Sequence, residues 1–364
     1  MYKCCFLGRK GRAEPAVEDS FFIFHNMTGD DTEVIDFVVP WVDGSDPIWL
    51  AEKAKYNHLA DNADDEINVM ERYRDWGLMK YWFRGIEQYA PWVNKIHFLT
   101  WGHVPNFLNV YHPKIHIVNH KDFIPEDCLP LYNASAIEMV LHRIPGLANH
   151  FVYFNDDTFL INPIEVCDFF RKGLPCGYFE DNPCCIGGYG NCVRQVFNAL
   201  SLINRNFDKH TMIRKHFFKY FSQPFLSKSF FYTLLSSPWD RILGIPSPHL
   251  PSAFLKSTWD KVWAAEPQIL NRTLHSKFRK SENVQQELFR YWQFMEGNFA
   301  PQKVIGKYFY LTDKTIDAAC LAIKNCNYKE ICLNDGPITN FHDAQQKLID
   351  AFETKLSQKS SFEM

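Results

Sequence analysis

A helix that crosses a bilayer needs roughly 18 or more consecutive apolar residues, and no stretch of this 364-residue chain supplies them. The opening segment, MYKCCFLGRKGRAEP, also lacks the apolar run that follows the basic residues of an export signal, so neither a span nor a signal is expected. Net charge is nearly absent: 39 Lys and Arg stand against 42 Asp and Glu. No global field exists to gather nucleic acid, so any contact with a polyanion must be local. The eleven cysteines form no even, spaced framework, and Cys4-Cys5 and Cys184-Cys185 are adjacent. That usage fits a reducing compartment, the cytoplasm, with the triplet Cys320, Cys326 and Cys332 as a candidate zinc cluster. There is no Walker loop, no G-x-G-x-x-G after a strand, no G-x-S-x-G and no H-E-x-x-H, and several standard enzyme classes lose support. No internal repeat or low-complexity tract is present.

Hydrophobic residues make up 46% of the chain, which excludes general disorder, and its length suits one large α/β domain or two lobes. Aromatics reach 16%, led by 32 Phe; they suit stacking on bases or sugars, although filling a core is their commoner use. Between His150 and Ile161 an apolar, aromatic run stops at Asn155-Asp156-Asp157 and then resumes. Adjacent carboxylates in apolar surroundings need a cation or protons. Hard oxygen ligands at a strand end suit Mg²⁺ or Mn²⁺ held against a diphosphate; an Asx-type turn joining two strands is the alternative.

Residues 1–32 mix charges, Gly and the Phe21 to Phe24 patch, and are expected to be a loosely attached leader. From Val34, IDFVVPWVDGSDP is a strand that breaks at Pro40 and ends in a turn. Asn68 to Tyr89 carries Met70, Tyr73, Leu78, Tyr81, Trp82, Ile86 and Tyr89 near helical spacing, with Pro91 beyond. KIHFLTWG and KIHIVNH are two further strands; a helix over Ser135 to His142 then precedes the strand that bears Asn155. That alternation predicts an α/β fold with a mostly parallel sheet, whose ligand lies beyond the carboxyl ends of the strands. Asp43 and Asp156-Asp157 would face one crevice there. From Gly187 to about Ser237 aromatic and basic residues interleave, with Arg205, Lys209, Arg214, Lys215, Lys219 and Lys228 against Asp208 alone. A helical insertion is expected there, touching an anionic membrane face or a phosphate-bearing polymer, or else merely presenting a solvated basic side. A helix over Asn283 to Met295 and the polar KLSQKSSFEM complete a division into 1–32, a core over 33–186, an insertion over 187–245, and 246–364.

Several polar residues stand in apolar settings. Trp41 to Asp46 places acids and small residues directly after a strand, as a nucleotide loop or a tight turn would. Arg72, Arg74 and Arg84 sit in an aromatic helical pattern, where each can grip phosphate or form a surface ion pair. In Pro246-Ser247-Pro248-His249-Leu250-Pro251, three prolines fix the backbone around one imidazole, which suits general acid or base work; a lone His is also often structural. Lys277-Phe278-Arg279-Lys280 puts a basic cluster before a helix expected near Ser281, a natural phosphate site.

Together these blocks resemble the Stealth family of sugar-1-phosphate transferases, which includes bacterial capsule phosphotransferases and the lysosomal-enzyme N-acetylglucosamine-1-phosphotransferase. IDFVVPWVDGSDPIWL is similar to the first block and RYRDWGLMKYWFRGIEQYAPWVNKIHFLTWGHVPNFLN to the second. LPLYNASAIEMVLHRIPGLANHFVYFNDDTFL resembles the third, and SPHLPSAFLKS with SKFRKSENVQQELFRYW the fourth. CLNDG and KSSFE also resemble bacterial members.

The resemblance implies a Rossmann-like, GT-A-like nucleotide-sugar transferase core with a helical insertion. It implies transfer of a hexose 1-phosphate from a UDP-sugar to a sugar hydroxyl of a glycan acceptor, with release of UMP and with Mg²⁺ or Mn²⁺ as cofactor. By motif, Asp43 and Gly44 would line the nucleotide pocket, while Arg72, Asp75 and Arg84 would organise the phosphate side. Asn133, Ser135 and Glu138 would complete the crevice with Asn155; Asp156 and Asp157 would bind metal, His249 would be the base, and Arg279 would clamp the diphosphate. The implied setting is cytoplasmic, at the inner membrane face, in capsule or surface polysaccharide synthesis. Two departures stand out: Pro40 occupies a place where members often carry Thr, and Asn283 one where Asp is expected, which puts an acidic role there in doubt. Two other functions stand beside it: a metal-dependent glycosyltransferase releasing UDP, which keeps the role of every motif except the site of attack, and a non-catalytic polysaccharide-binding protein that uses the many aromatics.

Overall fold

The apolar run after Glu33 forms β1 (Ile35–Trp41), with Phe37 and Val39 on one face of a sheet and Val38 on the other. The strand does not break at Pro40: it continues through Trp41, with Pro40 in register with Leu99. Phe37 donates its N–H to one side while the carbonyl of Val38 accepts from Phe154 on the other, and the pairing on that second side ends at Val38. Pro40 shares the parity of Val38, so the N–H it lacks would have had no strand to bond.

This computed structural model describes residues 33–56, 73–183, 191–325 and 328–364; the expected leader, 1–32, lies outside them. After β1 come α1 (Pro47–Ala54), α2 (Met79–Tyr89), β2 (Ile96–Thr100), β3 (Ile115–Asn119), α3 (Ala134–Glu138), β4 (His150–Tyr153) and β5 (Thr158–Leu160). The chain continues through α4 (Val166–Phe169), β6 (Phe170–Arg171), β7 (Leu174–Gly177) and the helices α5 (Asn191–Asn206), α6 (Lys209–Lys215), α7 (Phe217–Tyr220) and α8 (Lys228–Ser236). Then follow β8 (Ser252–Leu255), α9 (Lys256–Ala265), α10 (Pro267–Leu274), α11 (Glu287–Met295), β9 (Ala300–Pro301), β10 (Gly306–Tyr310), α12 (Ile316–Asn325), β11 (Glu330–Asn334) and α13 (Phe341–Glu353).

The central sheet has the order β3-β2-β1-β4-β8, parallel except for β8. It is the mostly parallel α/β core that the alternating pattern predicts, and its Rossmann-like order reverses direction between β1 and β4. A second sheet, β10-β11-β5, continues from the acidic turn after β4. One face of the central sheet packs on α2, α12 and α13; the other packs on α5, α9 and α11. Among the described residues no helix is long and apolar enough to cross a membrane.

Three helices differ from expectation. α2 starts at Met79 rather than Asn68, because Gly77 takes a left-handed φ of 68° and its N–H bonds to Asp75, which turns the preceding chain aside. α3 stops at Glu138 and is followed by a separate tight turn over Leu141–Arg143. α11 begins at Glu287 rather than Asn283, because the Asn283 side chain accepts from the N–H of Lys280 and closes a turn there. The zinc triplet is not assembled among the described residues: Cys326 lies outside them, Cys320 sits on α12, and Cys332 sits on β11 beside Asp157.

The polar C-terminal stretch is docked. Phe362 packs on Phe83, and Glu363 takes a two-pronged grip from Arg84, at 2.8 and 2.9 Å, with Glu353 on the same guanidinium. The Arg84 side chain is 7% exposed and that of Glu363 3%. Burial works against the charge of Glu363, but Arg84 outweighs it and holds the carboxyl below its usual range; the Tyr81 hydroxyl, with Arg84, does the same for Glu353. Carboxyls depressed in the folded state stabilise it fully above their unfolded value, near 4.5, and lose that contribution as pH falls. Glu363→Ala removes the two-pronged acceptor of a buried guanidinium, leaving it Glu353 and the carbonyl of Leu356, and should cost about 3 kcal/mol in urea unfolding at neutral pH, with the deficit relative to the unsubstituted chain shrinking as the pH drops below 4.5.

Candidate active site

A cleft of about 540 Å³ opens at the carboxyl ends of β1 and β4, where the strand order reverses. Open parallel sheets place ligands there because neighbouring loops diverge at that point. Its walls come from the ends of β1, β4, β10 and β11, the 73–79 segment, the start of α3, the proline-rich loop and the turn around Arg279.

Asn155-Asp156-Asp157 is both things its sequence allowed: a turn from β4 into β5, closed by Thr158 N–H on the carbonyl of Asn155, and a pair of acids facing the cleft. Enclosure by the walls, then Asp157 and Asp75, push the Asp156 carboxyl up to about 7. Burial also opposes charge on Asp157, but His249, Asn334 and Cys332 outweigh it and hold this acid below its ordinary value. Asn334 donates to Asp157 Oδ2 at 3.1 Å.

His249 stands across the turn, its Nε2 3.5 Å from Asp157 Oδ2 and 3.4 Å from Asn155 Nδ2. The residue holds a left-handed φ of 49°, rare for a side chain with a Cβ, and Pro248 and Pro251 flank it. Burial opposes protonation of the imidazole, yet Asp157 prevails and raises its pKa. Proline bracing thus carries His249 to the acids, as the sequence suggested.

On the opposite wall, Arg279 lies on a turn held from beneath. Asn133 donates to the carbonyls of Ser276 and Phe278 at 3.0 and 3.3 Å and to Asn283 Oδ1 at 3.1 Å, while Asn283 donates to Ser276 Oγ at 3.0 Å. Both asparagines are fully buried. α5 grips the same turn from behind: Gln195 donates to the carbonyl of Lys280 and Asn198 to those of Ser281 and Asn283. Asn133 also caps α3 through the N–H of Ser135, whose hydroxyl reaches Gln195. Glu138 accepts from the N–H of Gln286, and burial, with Glu287 nearby, pushes its carboxyl up to about 8, so it carries a proton at neutral pH.

Asp75, Asn133, Ser135, Glu138, Asn155, Asp156, Asp157, His249 and Arg279 all border this one cleft. Asp43 and Gly44 do not line it. Asp43 accepts from the N–H and hydroxyl of Ser45 in its own turn, and a Cβ on Gly44 would stand 1.7 Å from the carbonyl of Tyr73, so the glycine permits that crossing. Arg84 is a correction: it points away into the ion pair with Glu363, because α2 is buried over most of its surface and this arginine meets the C-terminal segment. Arg72 lies outside the described residues. Arg74, which the sequence offered as a phosphate grip or an ion pair, clasps Asp335 at 2.6 and 2.8 Å at the rim, while sequence reasoning gave Asn334 no role. The CLNDG block was the available signal, but only pairing of β11 with β5 brings it to the acids.

A metal can be tested against this geometry. Asp157 Oδ1 is enclosed with no hydrogen-bond partner, beside a second carboxyl facing the same space. Burial holds the Cys332 thiol well above its usual pKa, so the sulfur keeps its proton. What remains is the carboxylate oxygens with the His249 imidazole beside them, and the oxygens suit a hard divalent cation.

Two family models match the chain: Stealth protein CR1, conserved region 1, over residues 33–59, and Stealth protein CR2, conserved region 2, over residues 72–175. A capsular polysaccharide phosphotransferase, WcwK, of Streptococcus pneumoniae is 40% identical over 91% of this chain and 98% of its own. The receptor polysaccharide phosphotransferase WefC of Streptococcus oralis is 38% identical over 91% and 99%. Among solved structures, a galactosyltransferase, LgtC, in complex with donor and acceptor sugar analogs overlaps 90% of this chain and 98% of its own at 8% identity, with a TM-score of 0.37, too loose a likeness to bear on the fold.

The Asn133–Asn283 pair gives a check on the cleft wall. Asn283→Ala strips Lys280 N–H of its acceptor and Ser276 Oγ of a donor, while Asn133 keeps the carbonyls of Ser276 and Phe278, and the loss should cost about 1 to 3 kcal/mol in denaturant unfolding. A change below about 0.5 kcal/mol would show that the turn bearing Arg279 does not depend on this network.

Proposed function

The chain belongs to the Stealth family, and from that premise we propose that it transfers a hexose 1-phosphate, such as N-acetylglucosamine 1-phosphate, from a UDP-sugar to a sugar hydroxyl, releasing UMP. The chain is a phosphotransferase of polysaccharide biosynthesis, like relatives that match over nine tenths of its length. The convergence of His249, Asp156, Asp157 and Arg279 on one cleft at the sheet's switch point carries the finer reading.

In this scheme the oxygen of an acceptor hydroxyl forms a bond to the β-phosphorus of the donor, and the bond from that phosphorus to the bridging oxygen breaks. UMP leaves, and the anomeric bond of the sugar stays intact. The hydroxyl proton passes to the imidazole of His249, whose charged form is stabilised by Asp157 at 3.5 Å, as an aspartate does for the histidine of a triad. Arg279 faces the charge of the diphosphate from the other wall. Asp156 and Asp157 would hold Mg²⁺ or Mn²⁺, which supplies charge neutralisation at the diphosphate. Trp76, Trp101 and Tyr310 are among the residues that line the cleft, and aromatic surface of this kind suits sugars.

Incubation of the protein with UDP-N-acetylglucosamine, Mn²⁺ and a glycan acceptor should release UMP and form a phosphodiester visible by phosphorus NMR. UDP in its place would mean attack at the anomeric carbon. His249→Ala should lower kcat on the order of 10² to 10⁴-fold, and Asp157→Asn should weaken Mn²⁺ binding measured calorimetrically without substrate. Full activity in the histidine variant would remove the base from the scheme.

A further inference from the structure

Beyond α5, whose Gln195 and Asn198 hold the Arg279 turn from behind, the interleaved basic and aromatic stretch takes no part in the cleft described above. Of the large apolar side chains that are exposed, Phe217, Phe218, Phe225 and Leu226 lie on α7 and the loop after it, and Phe231, Leu234 and Leu235 on one side of α8, with Trp239 just beyond. Phe218, Phe225 and Leu235 are 88%, 78% and 66% exposed. The rings form a continuous surface, since Phe217 meets Phe218 and Phe221, Phe221 meets Phe230, and Phe230 meets Phe225 and Phe231, at centroid distances from 4.8 to 6.2 Å. Soluble chains scatter exposed apolar residues singly, whereas a cluster of this kind marks a contact surface.

The frame beneath the patch is firmly anchored. Tyr220 is buried and donates to the carbonyl of Phe294, Gln223 donates to that of Tyr220 at 2.9 Å, Lys219 to that of Gly297, and Ser236 to that of Asp181. The rings are therefore presented outward by a structure packed against α11. Leu226, at the tip between α7 and α8, holds a left-handed φ of 64° with its side chain exposed.

Charge selects the occupant. From Lys209 to Trp239 there is no acidic residue, while Arg214, Lys215 and Lys228 are exposed around the apolar surface. An apolar aromatic face bordered chiefly by basic side chains, with the exposed Asp240 beside Trp239 as an exception, is complementary to an anionic bilayer, where rings enter the headgroup boundary and cations meet lipid phosphates. We propose that the α7–α8 surface docks the protein on an anionic phospholipid membrane, peripherally and reversibly. This inference is independent of the transfer chemistry and stands or falls without it.

The test is flotation of the full chain with vesicles of phosphatidylcholine, with and without phosphatidylglycerol. Binding is expected with phosphatidylglycerol, weakening with added salt, and little is expected without it. Phe218→Ser combined with Phe225→Ser and Leu235→Ser should lower the vesicle-bound partition on the order of tenfold or more. UMP release with a water-soluble acceptor should be unchanged in that variant, which separates a failed membrane contact from a failed transfer reaction and confirms folding. Absence of flotation with phosphatidylglycerol vesicles would overturn the proposal. So would a dimer, seen by light scattering, that the same three substitutions dissociate, for the patch would then be a contact between copies of this chain.

Discussion

Two adjacent carboxyls at the end of a buried strand cannot both be charged without something opposite them, and the cleft is arranged around that demand. Asp157 meets it with His249, Asn334 and the Cys332 thiol, and its ionised form is favoured in spite of burial. Asp156 has no such partners, and its carboxyl rises to about 7. The acids therefore differ electrostatically although they are neighbours in sequence. Asp157 keeps one oxygen enclosed and unbonded, an unusual condition for a buried charged group unless something binds there.

Asp157 is reached from two directions, and the second sheet accounts for one of them. β11 pairs antiparallel with β5, immediately after the acidic turn, and delivers Cys332 and Asn334 to it. The proline-rich loop delivers His249 from the far side of β8, whose antiparallel pairing with β4 sets where that loop ends. The opposite wall depends on buried amides: Asn133 and Asn283 tie the 276–283 turn to the start of α3, and α5 ties it to the helical block. Asn283, at a place where the resemblance led one to expect an acid, acts through its two-faced amide, accepting from Lys280 N–H and donating to Ser276, which a carboxylate cannot do.

The same helical block has two faces with different physics. Inward, α5 packs against α11 and Tyr220 and Met212 join the core beside the central sheet. Outward, α7 and α8 leave rings uncovered beside basic side chains. Within the expected insertion, α5 is thus part of the wall behind the cleft and α7 and α8 are an outer surface, and composition alone reported only the second.

Much of the fold was legible because periodicity and turn chemistry are local. The strands at Ile35, Ile96 and Ile115, their parallel order with β4, and an acid-bearing crevice at their carboxyl ends follow from apolar runs alternating with helical spacing. His249 was visible through the prolines that brace it, and Asp156-Asp157 through their apolar flanks. What the chain could not disclose were contacts made across long separations. Arg84 has the same local surroundings as an arginine that grips phosphate, and only the docked C-terminal segment, 279 residues later, turns it into a structural ion pair. Arg74 and Asp335 meet across 261 residues, and Asn334 reaches Asp157 across 177. The sequence by itself determined which residue types could do chemistry and on which strand ends they sit; the tertiary structure alone decided which of them share one cleft, because side-chain partners across a fold are set by packing of distant elements and leave no mark in local spacing.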